Sequence, residues 1–269
     1  MGNTIKMDLY RMLTSKTFKI NLLIVTIVTL LSKPLLKLVY NLTAKLAENL
    51  SENAEGTTSA VEAYPSSVDL SELIASPFGF YNLTIFVLMS VIAFAYADIA
   101  NGFIKNYAGQ LEKKGYSIIS KFVVIVIHNF IFMACALIGG ILGELMTRTV
   151  TFDADVPTAV GVFFLKLLLM QALCTILLFF TAGIRQRTMA TVFGVFLGSG
   201  MLGLAYFGLN MAIAKVFVNS DINVMDYAPD KLLEQGINIA TINALVVSAV
   251  IICIFLPLTV KIFNAKDVR

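Results

Sequence analysis

The chain has one histidine, His128, and imidazole is the side chain most suited to metal binding or proton transfer near neutral pH. It stands alone. No Glu-x-x-His or His-Glu-x-x-His partner accompanies it, as metal hydrolysis would need; a structural hydrogen bond across helices, with Asn129 a candidate partner, fits better. Cys135, Cys174 and Cys253 each sit in an apolar run without metal-ligand spacing, and an odd count gives no disulfide framework. They read as small packing residues. Lys166 is less ordinary, because an ammonium at a bilayer centre costs about 2.5–3.5 kcal/mol. Three readings are open for it: snorkelling to the outer interface, pairing with an acidic residue such as Glu144, or facing a substrate path. There is no Gly-rich loop closed by Gly-Lys-Ser/Thr, so the chain is not expected to bind a nucleotide. No catalytic residue and no metal ligand is assigned.

The elements that would carry these residues are membrane helices. Of 269 residues 58% are hydrophobic and 14% charged, against about 25% charged in soluble domains. A mean hydropathy of +0.85 leaves too little polar surface to cover a water-soluble core. Net charge is only +3, which gives no reason to expect nucleic acid. A helix crossing about 30 Å of hydrocarbon needs about 20 mostly apolar residues. Six segments qualify: residues 18–39, 77–97, 121–142, 160–182, 189–212 and 239–262. The expected fold is an all-α membrane protein of six transmembrane helices forming one domain over residues 1–269. Lys33, Pro34 and Lys37 interrupt the first span, and those lysines can snorkel outward. Pro257 is expected to kink the last. Gly139 and Gly143, Gly194 and Gly198, and Ser199 and Gly203 are each four apart, a spacing that lets helix backbones approach closely.

Residues 1–17 form an amphipathic helix in which Ile5, Leu9, Met12 and Leu13 share one face and Asp8, Arg11 and Ser15 the other. It is expected to lie in the interface with its basic residues toward lipid headgroups. No small-x-small cleavage site follows the first apolar segment, which is expected to stay in the mature protein. With the N-terminus inside, Lys6, Arg11, Lys16, Lys19, Lys105, Lys113, Lys114, Lys121, Arg185, Arg187, Lys261, Lys266 and Arg269 all fall in the cytoplasm. Only Lys45, Arg148, Lys215 and Lys231 lie outside, and the positive-inside rule then places both termini in the cytoplasm. Residues 41–76 make a polar outer loop with a helical start, and 215–238 short outer helices at the surface or dipping into it.

The cytoplasmic connection over residues 98–120 is the informative segment. Asp98 ends the second span, Gly102 follows, then Ile104-Lys105-Asn106, a turn at Gly109, and Ser120-Lys121 opening the third span. This pattern resembles the permease subunits of type 2 ATP-binding cassette exporters, particularly small ones of Gram-positive bacteria. Phe103 stands where the family has Thr, and Glu112-Lys113 replaces its Ser-Arg step. The resemblance implies that Asp98, Gly102, Phe103, Ile104, Lys105, Asn106, Tyr107 and Gly109 couple the chain to a separate ATPase subunit. It further implies ATP and Mg on that subunit and a second permease copy or a related permease. The expected location is the bacterial plasma membrane, and the expected cargo an exported peptide, such as an antimicrobial one, or another amphipathic substrate. A secondary transporter or channel would instead show paired broken helices or several intramembrane carboxylates. An intramembrane enzyme would need more than the lone His128.

Overall fold

The computed structural model describes residues 2–51, 67–79, 83–102, 115–147, 151–153, 155–216, 223–235 and 241–265. In chain order the helices are α1 (Gly2–Thr14), α2 (Lys16–Ser51), α3 (Leu70–Gly79), α4 (Thr84–Ala100), α5 (Tyr116–Thr147), α6 (Val156–Leu178), α7 (Arg187–Gly198), α8 (Gly203–Val216), α9 (Pro229–Glu234) and α10 (Thr241–Ala265). A π-helical stretch, Phe179–Ile184, prolongs α6. A short parallel pair, β1 (Ser67–Asp69) with β2 (Thr151–Asp153), is the only sheet among the described residues; it joins the start of α3 to the connection between α5 and α6. The molecule is an all-α protein in substance.

Four helices are long and apolar enough to cross a membrane, α2, α5, α6 with its extension, and α10, or five if the bent pair α7–α8 counts as one. Their outward faces are apolar too. On α2, Ile20, Leu23, Ile27, Leu31, Leu35 and Leu38 recur every three or four residues and are all exposed. A soluble helix turns such a stripe inward, whereas a membrane helix leaves it for lipid. The centre of the bundle is α6, whose apolar window is 67% buried, against 22% for α2 and 11% for α10.

Several expected boundaries shift. The helix expected over 77–97 begins at Thr84 and ends at Ala100; Pro77 belongs to α3, whose end is tied to the next helix by Leu83 N–H donating to the Pro77 carbonyl at 3.3 Å. Its 17 residues reach about 26 Å, short of the hydrocarbon core alone. The helix expected over 189–212 is broken instead, α7 and α8 meeting at 79°. Gly200, at φ +68°, takes the left-handed conformation that the turn requires and that glycine adopts without strain. The third span starts at Tyr116, so Ser120 and Lys121 lie in the second turn of α5 rather than opening it.

Small residues set how closely the helices cross. A Cβ on Gly143 would sit 2.6 Å from the Leu30 carbonyl oxygen. That carbonyl is the one Pro34, lacking an N–H, leaves without its usual intrahelical donor, and α2 continues through the proline as one helix. Gly139 packs on the same face, its added Cβ 3.0 Å from the Thr26 carbonyl oxygen. On α7, a Cβ on Gly194 would meet Ile92 at 2.8 Å and one on Gly198 the Ile85 backbone at the same distance, so this pair seats α7 on α4. Both pairs serve packing within the chain. The Ser199–Gly203 spacing falls across the bend.

Candidate functional site

At the end of the bundle that carries α1, four charged side chains and a hydroxyl converge. Asp98, in the last turn of α4, receives Arg11 of α1 on one carboxylate oxygen and Lys121 of α5 on the other. Ser120 donates to Asp8 at 2.6 Å, and Arg11 also stands 3.8 Å from Asp8. Asp8, Asp98 and Lys121 are at most 1% exposed, and the Lys121 ammonium lies 5.0 Å over the Phe94 ring. Two acids and two bases make the cluster neutral, which is what allows charges to stay buried. Burial still raises the Asp8 pKa above the ordinary carboxylate value, with Lys121 and the Ser120 hydrogen bond opposing it.

This arrangement corrects the expected placement of α1. Asp8 and Arg11 turn inward rather than toward headgroups, while Met7, Tyr10 and Leu13 are exposed. The apolar positions alone could not show this, because Ile5, Leu9 and Met12 pack on the core beside Asp8. The available signal was Asp8 itself, the lone acid in a basic N-terminal segment.

In the middle of the bundle a second network crosses three helices. The His128 ring bonds Ser90 of α4 at 3.0 Å and the adjacent Asn129 at 3.1 Å. Asn129 donates to Gln171 of α6 at 3.0 Å, and Gln171 donates to the Phe122 carbonyl at 3.3 Å. Both ring nitrogens of His128 are occupied and the side chain is fully buried, the position of a structural hydrogen bond rather than a metal ligand. The cross-helix partner is Ser90; Asn129 passes the chain of bonds on to α6.

At the opposite end, lysines reach carbonyls and carboxylates rather than water. Lys33 pairs with Glu144 at 3.1 Å and Lys37 donates to the Thr147 carbonyl at 2.6 Å, so both bind α2 to the C-terminal turn of α5 instead of snorkelling. Lys166 is fully buried and donates to the carbonyls of Leu233 and Gln235, the last turn of α9. Those bonds tie the end of the segment 223–235 to α6. Glu144, one candidate partner for Lys166, is taken by Lys33.

Asp230 of the same short helix is 2% exposed and accepts from Tyr206 at 2.7 Å, but its other oxygen has no partner among the described residues. Burial raises its pKa, Tyr206 opposing. A raised folded-state pKa favours the docked state below the unfolded value of about 3.9, and that contribution is lost as pH rises through the folded value. The melting temperature in detergent should thus fall as pH rises above about 4 more in the wild type than in Asp230→Asn. Parallel curves would show that Asp230 is not linked to folding in this range.

Of the residues proposed for coupling, Asp98 and Gly102 are placed, the latter at φ +67° just after α4. Phe103, Ile104, Lys105, Asn106, Tyr107 and Gly109 lie outside the described residues. Asp98, Ser120 and Lys121 are brought together, and they bracket the connection on both sides. No family model matches this chain, and no curated protein matches it in sequence.

Proposed function

We propose that this chain is the membrane-spanning subunit of an ATP-binding cassette exporter, pairing with separate ATPase subunits that carry ATP and Mg. In this reading α4 and the bent pair α7–α8 complete six spans, and both termini face the cytoplasm of a bacterial cell. A second permease copy, or a related one, encloses a path for a peptide or other amphipathic substrate. The observation that carries it is the buried cluster Asp8–Arg11–Asp98–Lys121, which ties α4 and α5, the helices on either side of residues 103–114, to α1. A force applied to that connection would reach three helices together, as a coupling element requires.

The test replaces Ile104 and Tyr107 with Ser. Each is an apolar anchor for an ATPase groove; loss of the isoleucine alone removes burial worth about 1.5–3 kcal/mol, a tenfold or greater weakening. Co-purification of the ATPase should be lost while the permease's melting temperature holds. Full retention would leave the segment as a loop only.

Asp230 favours one rival, a proton-driven carrier, since its buried carboxyl makes no ion pair within 4 Å among the described residues, Lys231 acting on it only from a distance. Transport by the purified chain in proteoliposomes, driven by a pH gradient without an ATPase, would establish that reading and displace the first.

A further inference from the structure

Two apolar grooves run side by side on the membrane-facing surface of α6. The larger, about 790 Å³, lies between α5, α6 and α10; it extends from Thr158 and Thr241 at one rim down to Gln171 and Ile252. The smaller, about 440 Å³, lies on the other flank of α6, against Phe130 and Leu137 of α5 and Ile74 of α3. Phe164 lines both and forms the ridge between them. From Thr158 to Gln171 is thirteen residues and from Thr241 to Ile252 eleven, about 17–20 Å along the helices. Half of an about 30 Å hydrocarbon core is about 15 Å, so the larger groove starts at one interface and ends near the midplane. It is one leaflet deep.

The floor of the larger groove contains a glycine with no packing role inside the chain. A Cβ on Gly161 would meet nothing within 4 Å, unlike the glycines that seat helices against each other. Glycine within a helix is unfavourable relative to other residues, and here no protein atom needs the space. The rim carries the hydroxyls of Thr158 and Thr241 and the exposed carboxylate of Asp155, which accepts from Thr158. Among the described residues no lysine or arginine lines either groove.

We infer that α6 holds one two-chain phospholipid of the leaflet at the Thr158 end, its acyl chains parted by Phe164 and its headgroup amine facing Asp155. A zwitterionic, amine-bearing headgroup fits this rim, whereas a purely anionic one would meet a carboxylate and no cation among the described residues. The site rests on the membrane placement of α5, α6 and α10 and is independent of any pairing with an ATPase.

Gly161→Phe tests it, because Gly161 lines the larger groove and an added Cβ there meets no protein atom within 4 Å. The full chain is reconstituted in nanodiscs of phosphatidylethanolamine bearing a photoreactive acyl chain, and cross-linked peptides are mapped. The wild type should label on α6 and α10 along the groove. Gly161→Phe should lose at least tenfold of that label at an unchanged or higher melting temperature, while Ile254→Phe, on the exposed face of α10, keeps it. Native mass spectrometry should show one retained phosphatidylethanolamine, lost in Gly161→Phe, and no comparable retention of phosphatidylglycerol. Even labelling of all outward helix faces would mean an annular lipid only, and equal labelling in Gly161→Phe would equally overturn the site.

Discussion

Replacing Asp98 with Ala should cost about 3–5 kcal/mol of stability, because it strands Arg11 and Lys121 beside one remaining acid. The effect is larger than the loss of an exposed pair, which contributes about 0–1 kcal/mol, since Lys121 cannot reach water without leaving α5's packed face. Arg11 has more freedom, its side chain being 24% exposed, so α1 should detach while α5 stays in place. Trypsin cleavage at Lys6 in inside-out vesicles should accelerate, with a lowered melting temperature. The double variant Asp98→Leu with Lys121→Leu should be milder than Asp98→Ala alone, because replacing both partners leaves no uncompensated charge. A double variant that loses the sum of what Asp98→Leu and Lys121→Leu lose singly would show that the pair is uncoupled.

Lys166→Met should release α9 from the bundle. The thioether keeps the side chain's length but leaves the Leu233 and Gln235 carbonyls without a donor, about 1–3 kcal/mol for each that stays buried. The remaining ties of this six-residue helix are the buried Leu232 and Leu233 and the Tyr206–Asp230 bond. Leu232 is fully buried, so a cysteine there, with Cys135, Cys174 and Cys253 replaced by Ala, should resist a water-soluble maleimide. In the Lys166→Met background it should label rapidly. If α9 stays protected while transport is lost, the ammonium is instead serving a substrate path.

The apolar spans were legible because each is continuous over about 20 residues: α2, α5, and α6 with its extension contain the segments expected for them, and α10 covers the last from Thr241 on. The bend after Gly198 was not. Gly194, Gly198 and Gly203 are equally suited to close packing along a straight helix, and only the backbone angle at Gly200 separates the two outcomes. Asp98 and Lys121 were singled out, but their meeting depends on how α4 and α5 are rotated, which no local pattern encodes. Arg11 was read as a charge for headgroups because a helical wheel records only which residues share a face. It cannot say that the protein, rather than water, lies opposite the polar one. Lys33 and Lys37 were misjudged for a related reason: carbonyls at a neighbouring helix end attract an ammonium as well as an interface does.

Asp8 and Ser120 are 112 positions apart, and that distance has a consequence during synthesis. At about 5–20 residues per second the ribosome needs roughly 6–22 s to deliver Ser120 and Lys121 after Asp8 has emerged. Throughout that interval α1 has no cluster to enter, and the first two apolar segments leave the ribosome before its partners exist. Its exposed Met7, Tyr10 and Leu13 then give it somewhere to wait, on a membrane surface. A nascent chain stalled before residue 120 would display an unpaired Asp8 and Arg11, marking it as unfinished to any protease that samples that surface.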